Sequence, residues 1–325
     1  MIVPKFWAEG RLQRKEQGKQ VTVRRYGWSD ISAAEAQAMA DERTRTAFAE
    51  IAAGANLLRR EPKVAYNGAE GVPIREEIIA SHGDTVITRN AYGASCLNTP
   101  NVLFADIDFE PKAVGGSMLA LAPVLVGVTL ATSGLSSTAG LVIAAIVAVF
   151  LVWRWGLGRS SAPKPAAAAG AEDRALDRIL AFTEAHPTWH LRLYRTPAGI
   201  RILVMHQTFD PADPIVVDFF QALGTDPIYV RMCLKQHCFR ARVSPKPWRI
   251  GIEGHMRPNP GVWPVQPERL PDRNRWIKAY EAKARDFAAC RFVKAIGSQT
   301  VAAAAEAVRK LHDELAGADT QRPLA

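Results

Sequence analysis

At 325 residues with a formal net charge of +9, the chain has room for one large or two ordinary domains, and its near-zero mean hydropathy averages polar, basic parts with one very apolar insert. Four cysteines, Cys96, Cys233, Cys238 and Cys290, stand at no disulfide-framework spacing, which fits a reducing compartment and excludes a disulfide scaffold. A signal peptide is not expected, because the sequence starts polar and basic and its apolar run comes late.

The first thirty residues carry Arg11, Arg14, Lys15, Lys19, Arg24 and Arg25, interrupted by Phe6, Trp7, Tyr26 and Trp28, and read as a docking arm or an ordered lead-in. Ser32 and Glu35 have capping-box spacing, so the Ala-rich stretch to about Ala53 is expected to be a helix. From Gly71 to Leu97 the pattern predicts a short helix over Ile74 to Ser81, a strand at Thr85 to Thr88, a turn containing Asn90 and Gly93, and a strand at Ala94 to Leu97. Arg89 and Tyr92 at that turn put a cation and a ring where a ligand could be met. A hairpin turn with Arg89 lying along the surface is the plainer reading.

Asn101 to Glu110 has the short apolar run of a buried strand, with Asp106 and Asp108 two apart and therefore on one face. Beyond Lys112, the run Ala113 to Leu135 has 23 residues without a charge, and a second run follows from Ala139 to Trp153 after Ser136-Ser137-Thr138. The first is long enough to cross a hydrocarbon core of roughly 30 Å, and Trp153 and Trp155 can anchor the second at the interface. A two-helix transmembrane hairpin over 113–155 is expected. Lys112 before it and Arg154, Arg159 and Lys164 after it put both ends on the cytoplasmic side of a bacterial inner membrane. A buried hairpin in a soluble core is the alternative, but the runs show no polar stripe.

Residues 156–171 form a Ser/Ala/Pro linker, and 172–325 are expected to complete, with 1–112, a single cytoplasmic α/β domain. A helix is predicted from about Ala171 to Ala185, then strands at Trp189 to Tyr194 and Ile200 to Met205 joined by a Pro-x-Gly loop, then a helix at Pro214 to Leu223. Asp226 opens the next segment. Cys238 to Arg249 starts as an apolar strand and becomes a proline-punctuated loop, Pro258 to Pro271 is irregular, and covering helices follow at Arg273 to about Val293 and Thr300 to Leu315. Cys233, His237 and Cys238 lack the second ligand pair of a zinc site.

Two carboxylates on one strand face suit a hard divalent cation, Mg²⁺ or Mn²⁺, and their mutual repulsion calls for either a metal or an arginine as partner. The order of segments resembles the catalytic core of archaeo-eukaryotic primase-like polymerases. Asp106 and Asp108 match the acidic pair, Thr196-Pro-Ala-Gly-Ile-Arg201 the small-residue turn, Asp226 the third acid and Phe239-Arg240-Ala241-Arg242 the basic strand. Arg201 stands where that family has histidine. The resemblance implies an α+β fold, a mixed sheet with an RRM-like element, here interrupted by the membrane hairpin. It implies Asp106, Asp108 and Asp226 as catalytic groups, with the metal on Asp106 and Asp108. Arg89, Arg195, Arg201, Arg240, Arg242 and Lys246 would grip phosphate. Two functions are then expected: a membrane-tethered, metal-dependent nucleotidyl or phosphoryl transferase acting on nucleotide or nucleic acid, or a non-catalytic membrane-anchored module with a basic phosphate-binding surface.

Overall fold

The computed structural model describes residues 3–16, 19–63, 73–109, 165–259 and 262–325. The expected hairpin at 113–155 lies outside them. No helix among the described residues is long and apolar enough to cross a membrane. The chain divides into two compact units, residues 1–107 with 175–325, and residues 108–174. The fold is a mixed α/β arrangement.

Alternation, not disorder, governs the basic start. β1 (Phe6–Glu16) and β2 (Lys19–Ser29) form an antiparallel ribbon over their full length, from Phe6 opposite Ser29 to Glu16 opposite Lys19. One face carries Leu12, Val21 and Val23 against Ala47, Phe48 and Ile51 of α1 (Ala33–Ala52). Gly10 and Gly27 let the helix approach closely, since a Cβ on either would run into the backbone of α1 around Ala36 and Ala40. Ser32 caps α1 through the Glu35 N–H, as its spacing predicts.

The first four-stranded sheet has the order β3-β4-β5-β9, all antiparallel, from β3 (Glu77–His82), β4 (Thr85–Arg89), β5 (Ser95–Thr99) and β9 (Phe239–Arg242). The second has the order β10-β7-β8-β6, from β6 (Phe104–Asp108), β7 (His190–Arg195), β8 (Gly199–Val204) and β10 (Arg291–Gly297). β8 is buried along its whole length. Helices α2 (Pro165–Ala185), α3 (Pro214–Leu223), α4 (Pro227–Gln236), α5 (Leu270–Ala284) and α6 (Ala303–Ala316) complete the fold.

Three expectations need correction, and the segment that Asp226 opens proves to be a helix. Ile74 to Ser81 is not helical: Ile74 is buried outside any helix or strand and β3 follows, because antiparallel pairing to β4 overrides an apolar spacing that mimics a helix. The helix begun at Arg273 does not reach Val293. It ends at Ala284, and 291–297 instead pair with β7 as a bulged edge strand. Asp226 opens a helix, α4, with Pro227 in its first turn. The expected linker is helical from Pro165.

Candidate functional site

β6 and β8 lie side by side, with the Val204 N–H donating to the Leu103 carbonyl at 3.0 Å. That pairing sets Arg201 under Asp106. Its Nε reaches Asp106 Oδ1 at 2.8 Å and its Nη2 reaches Oδ2 at 3.1 Å, a bidentate fork that engages both carboxylate oxygens. The remaining nitrogen, Nη1, donates to the Arg242 carbonyl at 2.8 Å and faces His312 Nε2 at 3.4 Å. Arg201 is 2% exposed. Burial pulls its pKa down, but the charge and hydrogen bonds of Asp106 more than reverse this and raise it.

Behind Arg201 lies a polar chain that sequence reasoning did not reach. His312, on α6, holds Asp313 Oδ1 at 2.9 Å through Nδ1, and Asp313 Oδ2 receives Arg192 at 3.2 Å and Arg309 at 3.0 Å. Burial lowers the His312 pKa, so the ring is neutral near pH 7, with the Nδ1 proton assigned to Asp313 and Nε2 left as an acceptor. Cys290 Sγ sits 3.8 Å from that Nε2. Cysteine, histidine and aspartate follow one another as in a nucleophilic triad, but burial pushes the Cys290 thiol up to about 12 and leaves it inaccessible. The chain is a buried tie between α6 and the sheet.

The third expected acid is a neighbour of the first through backbone alone. The Asp226 N–H donates to the Asp106 carbonyl at 3.1 Å, while its carboxylate caps α4 through the Ile228 N–H at 3.1 Å. Asp108 is the last residue of β6 and is exposed. Among the described residues, no group of three or more His, Cys, Asp or Glu is placed to hold a metal ion. Asp106 is engaged on both oxygens by Arg201, and Asp226 caps α4.

The expected phosphate-gripping cations are also largely committed. Arg240 holds Glu76 through two bonds of 2.9 and 2.7 Å and Asn98 Oδ1 at 3.0 Å, and Thr88 donates to Glu76 at 2.6 Å, all within the first sheet's buried interior. Arg89, also buried, bridges Glu281 at 2.6 Å and Glu77 at 3.3 Å. Arg242 donates to the Ser244 carbonyl at 2.8 Å, and Lys246 lies 5.4 Å from the centre of the Trp248 ring. Arg195 ends β7, half-buried, paired in register with Ile200 and Arg291. An open pocket of about 380 Å³ lies between Asn101, Phe209 and His237, and Asp210 also lines it. Cys238 is buried, and burial pushes its thiol up to about 11.

Exposed cations gather elsewhere, on the β1–β2 ribbon. Arg11, Arg14 and Lys15 are exposed on β1, and Arg24 and Arg25 are half-exposed on β2. The segment 59–61 runs beside β2, with Arg24 bridged to Arg60. Arg11, Lys15 and Arg24 share the outward face and Arg14 and Arg25 the face toward α1; period-two alternation was the signal for this basic ribbon. Comparison with family models, with curated proteins and with solved structures finds no match to this chain.

Proposed function

We propose that the chain is a membrane-tethered, non-catalytic module that holds a phosphate-bearing partner on a basic surface. The tether is the two-helix hairpin read from residues 113–155, with both flanking parts on the cytoplasmic face of a bacterial inner membrane. The observation that carries the non-catalytic reading is the fork of Arg201 on Asp106. A buried, permanently charged guanidinium already meets the charge that a divalent cation would otherwise neutralise. The exposed arginines and lysine of the ribbon supply the anion-binding surface.

A second reading, the metal-dependent transferase of primase-like descent, is favoured by one observation. All four segments that the resemblance draws together are neighbours, since Asp226 and Arg201 both hydrogen-bond to Asp106 and Arg201 reaches the Arg242 carbonyl. The strand order β6-β8-β7 also supports the RRM-like element, although β10 joins the β7 edge.

One experiment separates the two. The full chain in detergent is applied to heparin, a polyanion probe, in EDTA and in Mg²⁺ or Mn²⁺, and is incubated with labelled nucleoside triphosphates and a primed template. Retention that needs no metal, with no triphosphate turnover, is expected. Metal-dependent turnover that disappears in Asp106→Asn overturns the proposal.

A further inference from the structure

We infer that the outward face of the β1–β2 ribbon docks double-stranded nucleic acid; the inference rests on the binding-module reading and names its partner. Arg11 stands directly opposite Arg24, and Arg24 is bridged in turn to Arg60, so three guanidinium stems form a row across the strands. Lys15 stands further out on the same face. Like charges opposed across strands work against folding. On this face of β1 and β2, Glu9 is the answering acid, 3.6 Å from Arg24. The opposite face is packed on α1, so the row cannot turn inward. An arrangement that folding disfavours is stabilised by an anionic partner.

Shape narrows the partner. Paired strands lie about 4.8 Å apart, so a two-stranded ribbon is about 10 Å wide with its side chains, and the major groove of B-form DNA, about 12 Å wide, admits one. Between the cations stand Gln13 and Thr22, opposite each other, whose amide and hydroxyl groups have the chemistry that reads base edges while arginine and lysine meet phosphates. An anionic bilayer is the rival source of negative charge, and surfaces that seat on bilayers carry exposed apolar side chains among their cations. Here the outward residue between Arg11 and Lys15 is Gln13, and the exposed Leu57 and Leu58 lie off the strands, in the segment that leads to Arg60. The rings nearer the ribbon's base, Trp7 and Tyr26, are covered by the Arg75 guanidinium at 4.5 and 4.0 Å from their centres.

The test uses the full chain in non-ionic detergent and a short fluorescent DNA duplex, read by anisotropy over a range of salt. Arg11→Glu/Lys15→Glu is expected to lower duplex affinity at least tenfold and to reduce the slope of log K against log salt by about 2, as loss of two phosphate contacts requires. Lys294→Glu, exposed on β10, is expected to leave both unchanged. A melt by circular dichroism checks that the double variant is folded, and Arg11→Gln/Lys15→Gln gives the same direction without charge reversal. Duplex affinity unchanged in the folded double variant overturns the ribbon inference and leaves the binding module standing. So does loss confined to phosphatidylglycerol vesicles or to single strands. Failure of the wild-type chain to bind either duplex or heparin sinks the two together, and metal-dependent turnover sinks the binding-module reading on which the inference rests.

Discussion

Arg201 and Arg240 lie buried in the two four-stranded sheets, each gripping one carboxylate through two hydrogen bonds, whereas Arg11 stands exposed on the ribbon with another arginine directly opposite. In the sheets, a buried guanidinium is matched to one carboxylate, that of Glu76 buried and that of Asp106 partly exposed, and removing one partner strands a charge. On the ribbon Arg11 is exposed, and its hydrogen-bond partner is the neighbouring Gln13 Oε1 at 3.2 Å. A formal charge of +9 therefore says little about binding until the committed cations are separated from the free surface.

The largest expected effect breaks the comparison on the buried side. Arg240→Leu leaves Glu76 enclosed without its counter-charge, and should cost about 3–5 kcal/mol of unfolding free energy in urea. Arg240→Leu combined with Glu76→Leu should cost clearly less, since no charge is then left unpaired. If the single variant loses no more than an exposed ribbon variant, about 0.5 kcal/mol, buried and exposed arginines do not differ as described.

Local signals made part of this legible in the sequence. Pro214 to Leu223 is helical as expected because Asp213 caps it, Pro214 fits its first turn and Gly224 closes it at φ 66°. β7 and β8 follow from two apolar runs around a Pro-x-Gly loop. What stayed hidden depends on partners far along the chain. Arg201 and Asp106 are 95 residues apart, and the expectation of metal or arginine beside the acidic pair could not choose between them. His312 and Cys290 show their relation only once α6 packs on the sheet. The ribbon was masked by its charges, although Phe6, Ala8, Gly10 and Leu12 alternate with Trp7, Glu9, Arg11 and Gln13.

A smaller effect sharpens the buried side. Burial lowers the pKa of His312 and of His206. Below the unfolded value of about 6.5 the unfolded chain binds protons that the folded chain refuses, so stability should fall as pH drops from about 6.5 toward the folded values. His312→Asn should flatten the decline in melting temperature between about pH 7 and about pH 5, leaving the His206 share. An unchanged slope would mean that His312 is not the neutral tie between Arg201 and Asp313.

The smallest expected effect is a null one, and it tests the central claim, that Asp106 is the structural partner of Arg201. Thermal melts of the wild-type chain and of Asp106→Asn are compared with and without Mg²⁺ or Mn²⁺. Loss of the charge-assisted fork should cost about 1–3 kcal/mol, and the divalent ion should shift neither melt. A metal-induced rise in the wild-type melting temperature that vanishes in Asp106→Asn would contradict the account.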